Sequence, residues 1–316
     1  MPELPEVETV KRGLDRVTLN CPIEGGDVLL PRTVAHPVSV ADFLSSVSGV
    51  KILQWHRRGK YLLAELVTEG NPTPNPSPLH EEGRRREGQR NFLTENSRPP
   101  ESGQLFAAGW LGVHLRMTGQ LLWLHRDEPL QKHTRVRLFF AESRELRFVD
   151  QRTFGQMWWV PPTSLPEDVI SGLKKLGPDP FSAEFSIDYF AKQLQNSRRP
   201  IKTALLDQEL VAGLGNIYAD EVLFLSKVHP TTLCSELKRD RIERLHDAIV
   251  RVLQTAIEAG GTTFSNFLNV QGINGNYGGV AWVYKRAGEP CRLCGTSLGR
   301  IKLAGRSSHF CPQCQK

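Results

Sequence analysis

"IKTALLDQELVAGLGNIYADEVLF" (Ile201–Phe224) is the stretch on which the fold turns. Apolar residues recur at helical spacing on both sides of "AGLGN", and the glycines interrupt that spacing. The segment therefore predicts two helices joined by a glycine turn, the second opening at Asn216. Two readings of the turn stand side by side. It is plain architecture, or flexible backbone ahead of a helix N-terminus offers its N–H groups to a phosphate.

The chain stays helical downstream. "RDRIERLHDAIVRVLQTAIEAGG" (239–261) places Ile242, Leu245, Ile249, Val252, Leu253 and Ala256 on one stripe, and Gly260 and Gly261 stop it as a C-cap should. "VQGINGNYGGVAW" (270–282) follows as a polar, glycine-rich loop, compatible with a mobile lid or with an ordinary surface loop. The last 32 residues carry seven Lys and Arg against one acid, Glu289, which equals the whole formal excess of +6. Within them lie "CRLC" (Cys291, Cys294) and "CPQC" (Cys311, Cys314), 16 residues apart. That spacing fits a ribbon in which four thiolates close a tetrahedral zinc site. Disulfides are the rival, but close CxxC pairs in a chain with no secretory leader favour metal. Cys21 and Cys234 read as packing residues.

Upstream the pattern changes at "VPPTSLPEDV" (160–169), the expected domain boundary. Before it, "GWLGVHLRMTGQLLWL" (109–124) alternates, with Leu111, Val113, Leu115 and Met117 on one face and His114 and Arg116 on the other. "TRVRLFF" and "ELRFVD" alternate likewise, and short strands with turns between them predict a β-sandwich. Residues 69–104, rich in Pro, Gly, Asn, Arg and Glu, bury too little apolar surface to offset their conformational entropy and are expected to be disordered. They separate two strands, "KYLLAELV" and "WLGVHLRM", that would otherwise form a hairpin.

The chain opens on "MPELPEVETV". Leu4, Val7, Val10, Leu14 and Val17 predict a helix with Pro5 in its first turn and acids at the positive end of its dipole. Pro2 and Glu3 have no place in that account. In all, the 316 residues predict an α+β multidomain protein. Residues 1–160 form a β-sandwich with a flanking helix, 161–284 a helical domain and 285–316 the zinc ribbon. The composition, 39% hydrophobic and 23% charged, is that of a soluble protein. No apolar run reaches the ~18 residues of a membrane span, and the acidic start is unlike a signal peptide, so the cytoplasm is the expected location. The basic tail points to a polyanion.

Taken in order, "PELPEVE", "RRGKYL", "HLRMTG", "DQRTFG", "GLGNIYADE" and the four-cysteine ribbon resemble the bacterial formamidopyrimidine-DNA glycosylases, over the whole chain apart from the 70–104 insertion. The resemblance implies a helix–two-turn–helix and a bifunctional glycosylase/AP lyase for oxidised purines, acting as a monomer on double-stranded DNA with oxidised bases or abasic sites. It implies loss of Met1, leaving Pro2 as a secondary-amine nucleophile, with Glu3 as acid/base group and Lys60 at the phosphates beside the lesion. Glu6 joins proton relay and loop positioning, or is simply a first-turn acid. Met117, Arg152 and Phe154 fill the space left by a flipped nucleotide. Lys202, Asn216 and Arg306 anchor phosphates, with His114 and His133 as further contacts. Glu221 and the 270–282 loop surround the flipped base. One structural zinc sits on Cys291, Cys294, Cys311 and Cys314. Two alternatives stay open: an endonuclease VIII-type glycosylase for oxidised pyrimidines, usually with Gly where this chain has Leu4, and a non-catalytic zinc-ribbon DNA-binding protein.

Overall fold

The computed structural model describes residues 1–69, 105–262, 270–272 and 275–316; the disorder expected at 70–104 lies outside the described residues. Helix α1 (Leu4–Thr18) carries Pro5 in its first turn, and Glu3 precedes it in extended backbone as N-cap. Val7, Val10 and Leu14 are fully buried in the sandwich core, each contributing roughly 1.5–3 kcal/mol. Leu4 belongs instead to the core of the helical part. The chain's first turn is thus a rivet between two cores.

The sandwich is built from β1 (Gly25–Val28), β2 (Val34–His36), β3 (Lys51–Arg58), β4 (Tyr61–Glu69), β5 (Leu105–His114), β6 (Gly119–His125), β7 (Thr134–Phe140), β8 (Arg144–Asp150) and β9 (Gln156–Val160), with α2 (Val40–Val47) between β2 and β3. The sheets run β2-β9-β5-β4-β3 and β1-β7-β8-β6. Alternation does what it promised: in β7, Thr134, Val136, Leu138 and Phe140 are buried and the residues between them are not. One expectation is corrected. The run from 109 to 124 is two strands in different sheets, because the chain turns at 115–118, where Arg116 takes φ +51°. Met117 therefore leaves the buried face and is 37% exposed.

The two strands flanking the insertion pair directly, from Tyr61↔His114 out to Glu69↔Leu105, with one register shift between Leu66 and Val67. Nothing in that ladder depends on what joins Glu69 to Leu105. Replacing 70–104 with a short Gly-containing turn is expected to leave thermal unfolding unchanged or shift it slightly upward. Loop closure changes by only about 0.6 kcal/mol per doubling of length. A clear fall in Tm would show that the segment packs on the fold.

After β9 come α3 (Pro166–Val169) and α4 (Ser171–Lys174), which the sequence placed with the helical domain. Ile170, between them, and Leu173 of α4 pack instead with Tyr61, Leu63, Trp158 and Val160 on the sandwich. The helical part comprises α5 (Ile187–Gln195), α6 (Ile201–Leu205), α7 (Asn216–Leu225) and α8 (Arg239–Glu258). The stripe read from the sequence of α8 is its buried face. α7 is different: every residue from Ile217 to Phe224 is buried, Asp220 and Glu221 included. Hairpin β10 (Gly299–Leu303) and β11 (Arg306–Phe310) form the ribbon, whose Cys291, Leu298 and Cys311 share an apolar cluster with Phe224 of α7. Among the described residues, no helix is long and apolar enough to cross a membrane.

Candidate active site

The N-terminus of the chain lies against the N-terminus of α7. Leu4 N–H donates to the Gly213 carbonyl at 3.0 Å. Only glycine permits this approach at two positions. A Cβ on Gly213, whose φ is +96°, would stand 2.6 Å from the Leu4 side chain, and one on Gly215 would stand 2.3 Å from the Glu3 carboxyl carbon. Through this gap the buried Glu3 side chain reaches α7 and accepts from Ile217 N–H at 3.0 Å and Tyr218 N–H at 3.4 Å. The turn "AGLGN" therefore does bind an anion, but the anion is Glu3. At Ile217 and Tyr218 the phosphate reading of the turn thus gives way to an internal one, and Asn216 is the first residue of the helix, not its cap. Gly215 is the N-cap, and a carboxylate from a distant part of the chain takes the donors and the favourable end of the dipole.

Charges accumulate around Glu3. Its carboxyl is raised above the usual range by burial, with the Lys60 ammonium and the two α7 donors opposing. Lys60, buried at the β3–β4 turn, donates to the Leu214 carbonyl at 2.7 Å; burial lowers it to about 8, against the pull of Glu3. Glu6 accepts from Glu3 N–H at 2.8 Å, Thr262 N–H at 2.8 Å and the Tyr218 hydroxyl at 2.5 Å, and burial followed by the Glu3 charge pushes it up to about 7. Pro2 is buried beside these groups. The Met1 amine ahead of it is lowered by burial, with Glu3 and Glu6 opposing. An amine, two carboxyls and a lysine thus share one desolvated corner, where small changes in occupancy move protons.

Met1, Arg116, Met117 and Phe154 line an open cleft of about 500 Å³ next to this corner. Phe154 is 52% exposed, and the exposed Arg152 lies with its guanidinium 5.0 Å from the Phe154 ring centroid. Asp150, absent from the residues singled out in the sequence, organises both turns. Its buried carboxylate accepts from Thr118 Oγ1, from Arg152 N–H at 3.2 Å and from Gly155 N–H at 2.7 Å. An Asp heading a turn that ends in Gly was the signal available.

Four expected nucleic-acid contacts are not open surface groups. Lys202 is 1% exposed, with its ammonium 2.6 Å from Asp220 Oδ1 and donating to the Ser307 carbonyl at 2.7 Å. Half-buried Asn216 donates its amide to the same carbonyl at 3.1 Å. His114 is 6% exposed, accepts from Arg116 N–H at 3.0 Å, and is lowered to about 3 by burial and then by Arg116, so its ring is neutral. Glu221 is fully buried and accepts from the N–H groups of Trp282, Val283 and Tyr284, so it anchors the end of the 270–282 loop. Each of the four has at least one internal partner. His133 is half-buried beside Arg135, and Arg306 stands exposed at the start of β11. The loop itself is tied down in its described parts. Val270 is buried against Gly13 and its carbonyl accepts from Trp123 N–H at 2.9 Å, while Tyr277 N–H donates to Gly261 at 2.9 Å.

At the far end, the four cysteine sulfurs lie within 4.8 Å of one another. The Cys291–Cys314 and Cys294–Cys311 separations are 3.9 and 3.5 Å. A tetrahedron with Zn–S bonds of ~2.3 Å has edges of ~3.8 Å, so the set fits one zinc ion. With all four positions taken by thiolates, the metal supplies folding energy to the ribbon and no reaction step.

A β-sandwich, a helix–two-turn–helix and a four-cysteine ribbon, meeting at a buried N-terminus, define the class, and comparison with known proteins agrees. The family model of the formamidopyrimidine-DNA glycosylase N-terminal domain matches residues 1–157, that of its H2TH domain residues 176–267, and the zinc finger found in FPG and IleRS residues 288–316. The chain belongs to the formamidopyrimidine-DNA glycosylase family. It is 63% identical to the formamidopyrimidine-DNA glycosylase of a Nostoc species, with 100% of both chains covered. It is 58% identical to that of Acaryochloris marina, with 100% of this chain and 99% of the other covered. A solved complex of Lactococcus lactis Fpg with abasic-site DNA is similar at TM-score 0.80 and 33% identity, covering 99% of each chain.

Proposed function

We propose that the protein is a bifunctional DNA glycosylase and AP lyase that excises oxidised purines, such as 8-oxoguanine and formamidopyrimidines, from double-stranded DNA in base excision repair. The observation that carries this reading is the buried corner in which Pro2, Glu3, Glu6 and Lys60 meet beside an open cleft. The family supports it, and solved Lactococcus lactis Fpg complexes hold abasic-site DNA and Fapy-dG DNA. The protein is taken to act as a monomer, in the cytoplasm.

The chemistry starts once Met1 is removed, because Pro2 nitrogen then regains its lone pair as a secondary amine. Burial favours the neutral, nucleophilic form of an amine here, as it does for the Met1 amine. The Pro2 nitrogen bonds to C1′ of the damaged nucleotide while the glycosidic bond breaks and the base departs with its electron pair and a proton. Glu3, raised by burial, delivers a proton to the opening sugar and accepts others later. The resulting iminium acidifies C2′, so elimination first releases the 3′ phosphate and then the 5′ phosphate.

The target must leave the helix stack before Pro2 reaches it. Met117 and Phe154, apolar and exposed at one cleft, are proposed to enter the gap, with Arg152 offering donors to the orphaned base. Lys60, Lys202, Asn216 and Arg306 are the proposed phosphate groups, with His114 and His133 as further contacts. Borohydride trapping on a duplex containing 8-oxoguanine tests the reading. Trapping is expected to be at least tenfold faster than on thymine glycol in the same sequence; the reverse preference would assign the chain to oxidised pyrimidines.

A further inference from the structure

Asp220 is fully buried in α7 and has no part in the chemistry above. Its surroundings are specific. Oδ1 lies 2.6 Å from Lys202 Nζ, and Oδ2 accepts from the backbone N–H of His309 at 2.9 Å and from its Nδ1 at 3.0 Å. Lys202 in turn donates to the Ser307 carbonyl, as does Asn216. One carboxylate, directly and through one lysine, therefore holds strand β11 at residues 307 and 309. Arg306 is the next residue in that strand and ends the β10–β11 pairing at Leu303↔Arg306.

A hairpin tip is the least constrained part of a two-stranded ribbon. Zinc does not constrain it, because all four thiols lie at the other end of the hairpin, in the knuckles. The Arg306 charge is nevertheless felt at both Lys60 and Lys202, lowering each. Its position relative to the Glu3 corner is thus part of the site, and the ties that set this position run through Asp220. A buried carboxylate with one cation and two N–H donors is fully used, and removing its charge leaves Lys202 unpaired.

We propose that Asp220 is a positioning residue for DNA binding: it locks β11 onto α7 so that Arg306 meets the phosphate backbone at a fixed distance from Pro2. The proposal rests on the reading of Arg306 as a phosphate contact. It accounts for a buried Lys–Asp–His arrangement that neither the zinc nor the catalytic corner requires.

The test is a double-mutant cycle in the full-length, zinc-loaded protein, with binding to a duplex carrying a tetrahydrofuran abasic analogue measured at several salt concentrations. Arg306→Ala should weaken binding about tenfold and lower the salt slope by roughly one. Asp220→Asn should do nearly the same with zinc stoichiometry unchanged, and should have little further effect in the Arg306→Ala background. His309→Ala, which leaves the Asp220–Lys202 pair in place, should give a smaller loss in the same direction and covers the case in which Asp220→Asn misfolds. Wild-type binding by Asp220→Asn and His309→Ala, with Arg306→Ala impaired, would overturn the proposal alone. So would equal losses with and without Arg306, or loss of zinc, because these mark a general structural role. Unchanged binding by Arg306→Ala would overturn the reading of Arg306, and the proposal with it.

Discussion

A chain that keeps Met1 attached to Pro2 is expected to form no borohydride-trappable adduct, a loss on the order of 10³-fold or more, the scale seen when a covalent nucleophile is removed. The reason is electronic before it is steric. With Met1 in place, the Pro2 nitrogen is an amide whose lone pair is delocalised into the carbonyl. Space adds to this, since Met1 lines the same cleft as Met117 and Phe154 and occupies room that a sugar would need. Binding to abasic-analogue DNA should fall far less, because phosphate contacts such as that proposed for Arg306 make no use of the Pro2 lone pair. The comparison is made on protein prepared without methionine aminopeptidase, with mass spectrometry reporting the N-terminus. Undiminished trapping by the Met1-retaining chain would move the nucleophile elsewhere.

The second large effect is expected from Glu3→Gln. Base release should slow by about 10²–10⁴-fold, the usual worth of a positioned acid/base group, while affinity for abasic-analogue duplex changes only a few-fold. Glutamine keeps the volume and one carbonyl oxygen, so it can still accept from Ile217 N–H at the start of α7. Glu3→Ala removes that cap as well, and should cost about 1 kcal/mol more stability than Glu3→Gln. The pair of variants therefore separates the chemical from the architectural part of Glu3. In both, Lys60 loses a neighbour that holds its ammonium charged, so its pKa should fall below the present value of about 8. Normal turnover by Glu3→Gln would exclude it as the proton carrier.

The two roles of Glu3 mark where sequence reading stopped. "PELPEVE" announced a helix with acids at its first turn, and α1 is that helix. Nothing in the stretch says that one acid leaves its own helix to cap α7, more than two hundred residues away. That pairing needs Gly213 and Gly215 to bring two backbones together, and glycine reports permission to approach without naming what approaches. Asp150 and Asp220 were passed over for the same reason. A carboxylate's importance here comes from the donors around it, which the chain supplies from separate turns and strands.

Local chemistry was readable wherever the interacting groups are neighbours in the chain. The alternation of β7, the stripe of α8 and the two CxxC knuckles are short-range patterns, each repeating with the period of its element or the reach of a metal. The order of motifs identified the family, and with it the sandwich, the helix–two-turn–helix and the ribbon. Contacts between distant segments were decided only by the tertiary structure. It turned the 109–124 run from one strand into two, because a single left-handed residue at Arg116 sends the chain to the other sheet. It also gave Lys202, His114 and Glu221 internal partners that no stretch of the sequence announces. A charged or polar side chain looks alike in sequence whether it meets a phosphate or a buried partner. The desolvation that distinguishes the two exists only once the chain has closed around it.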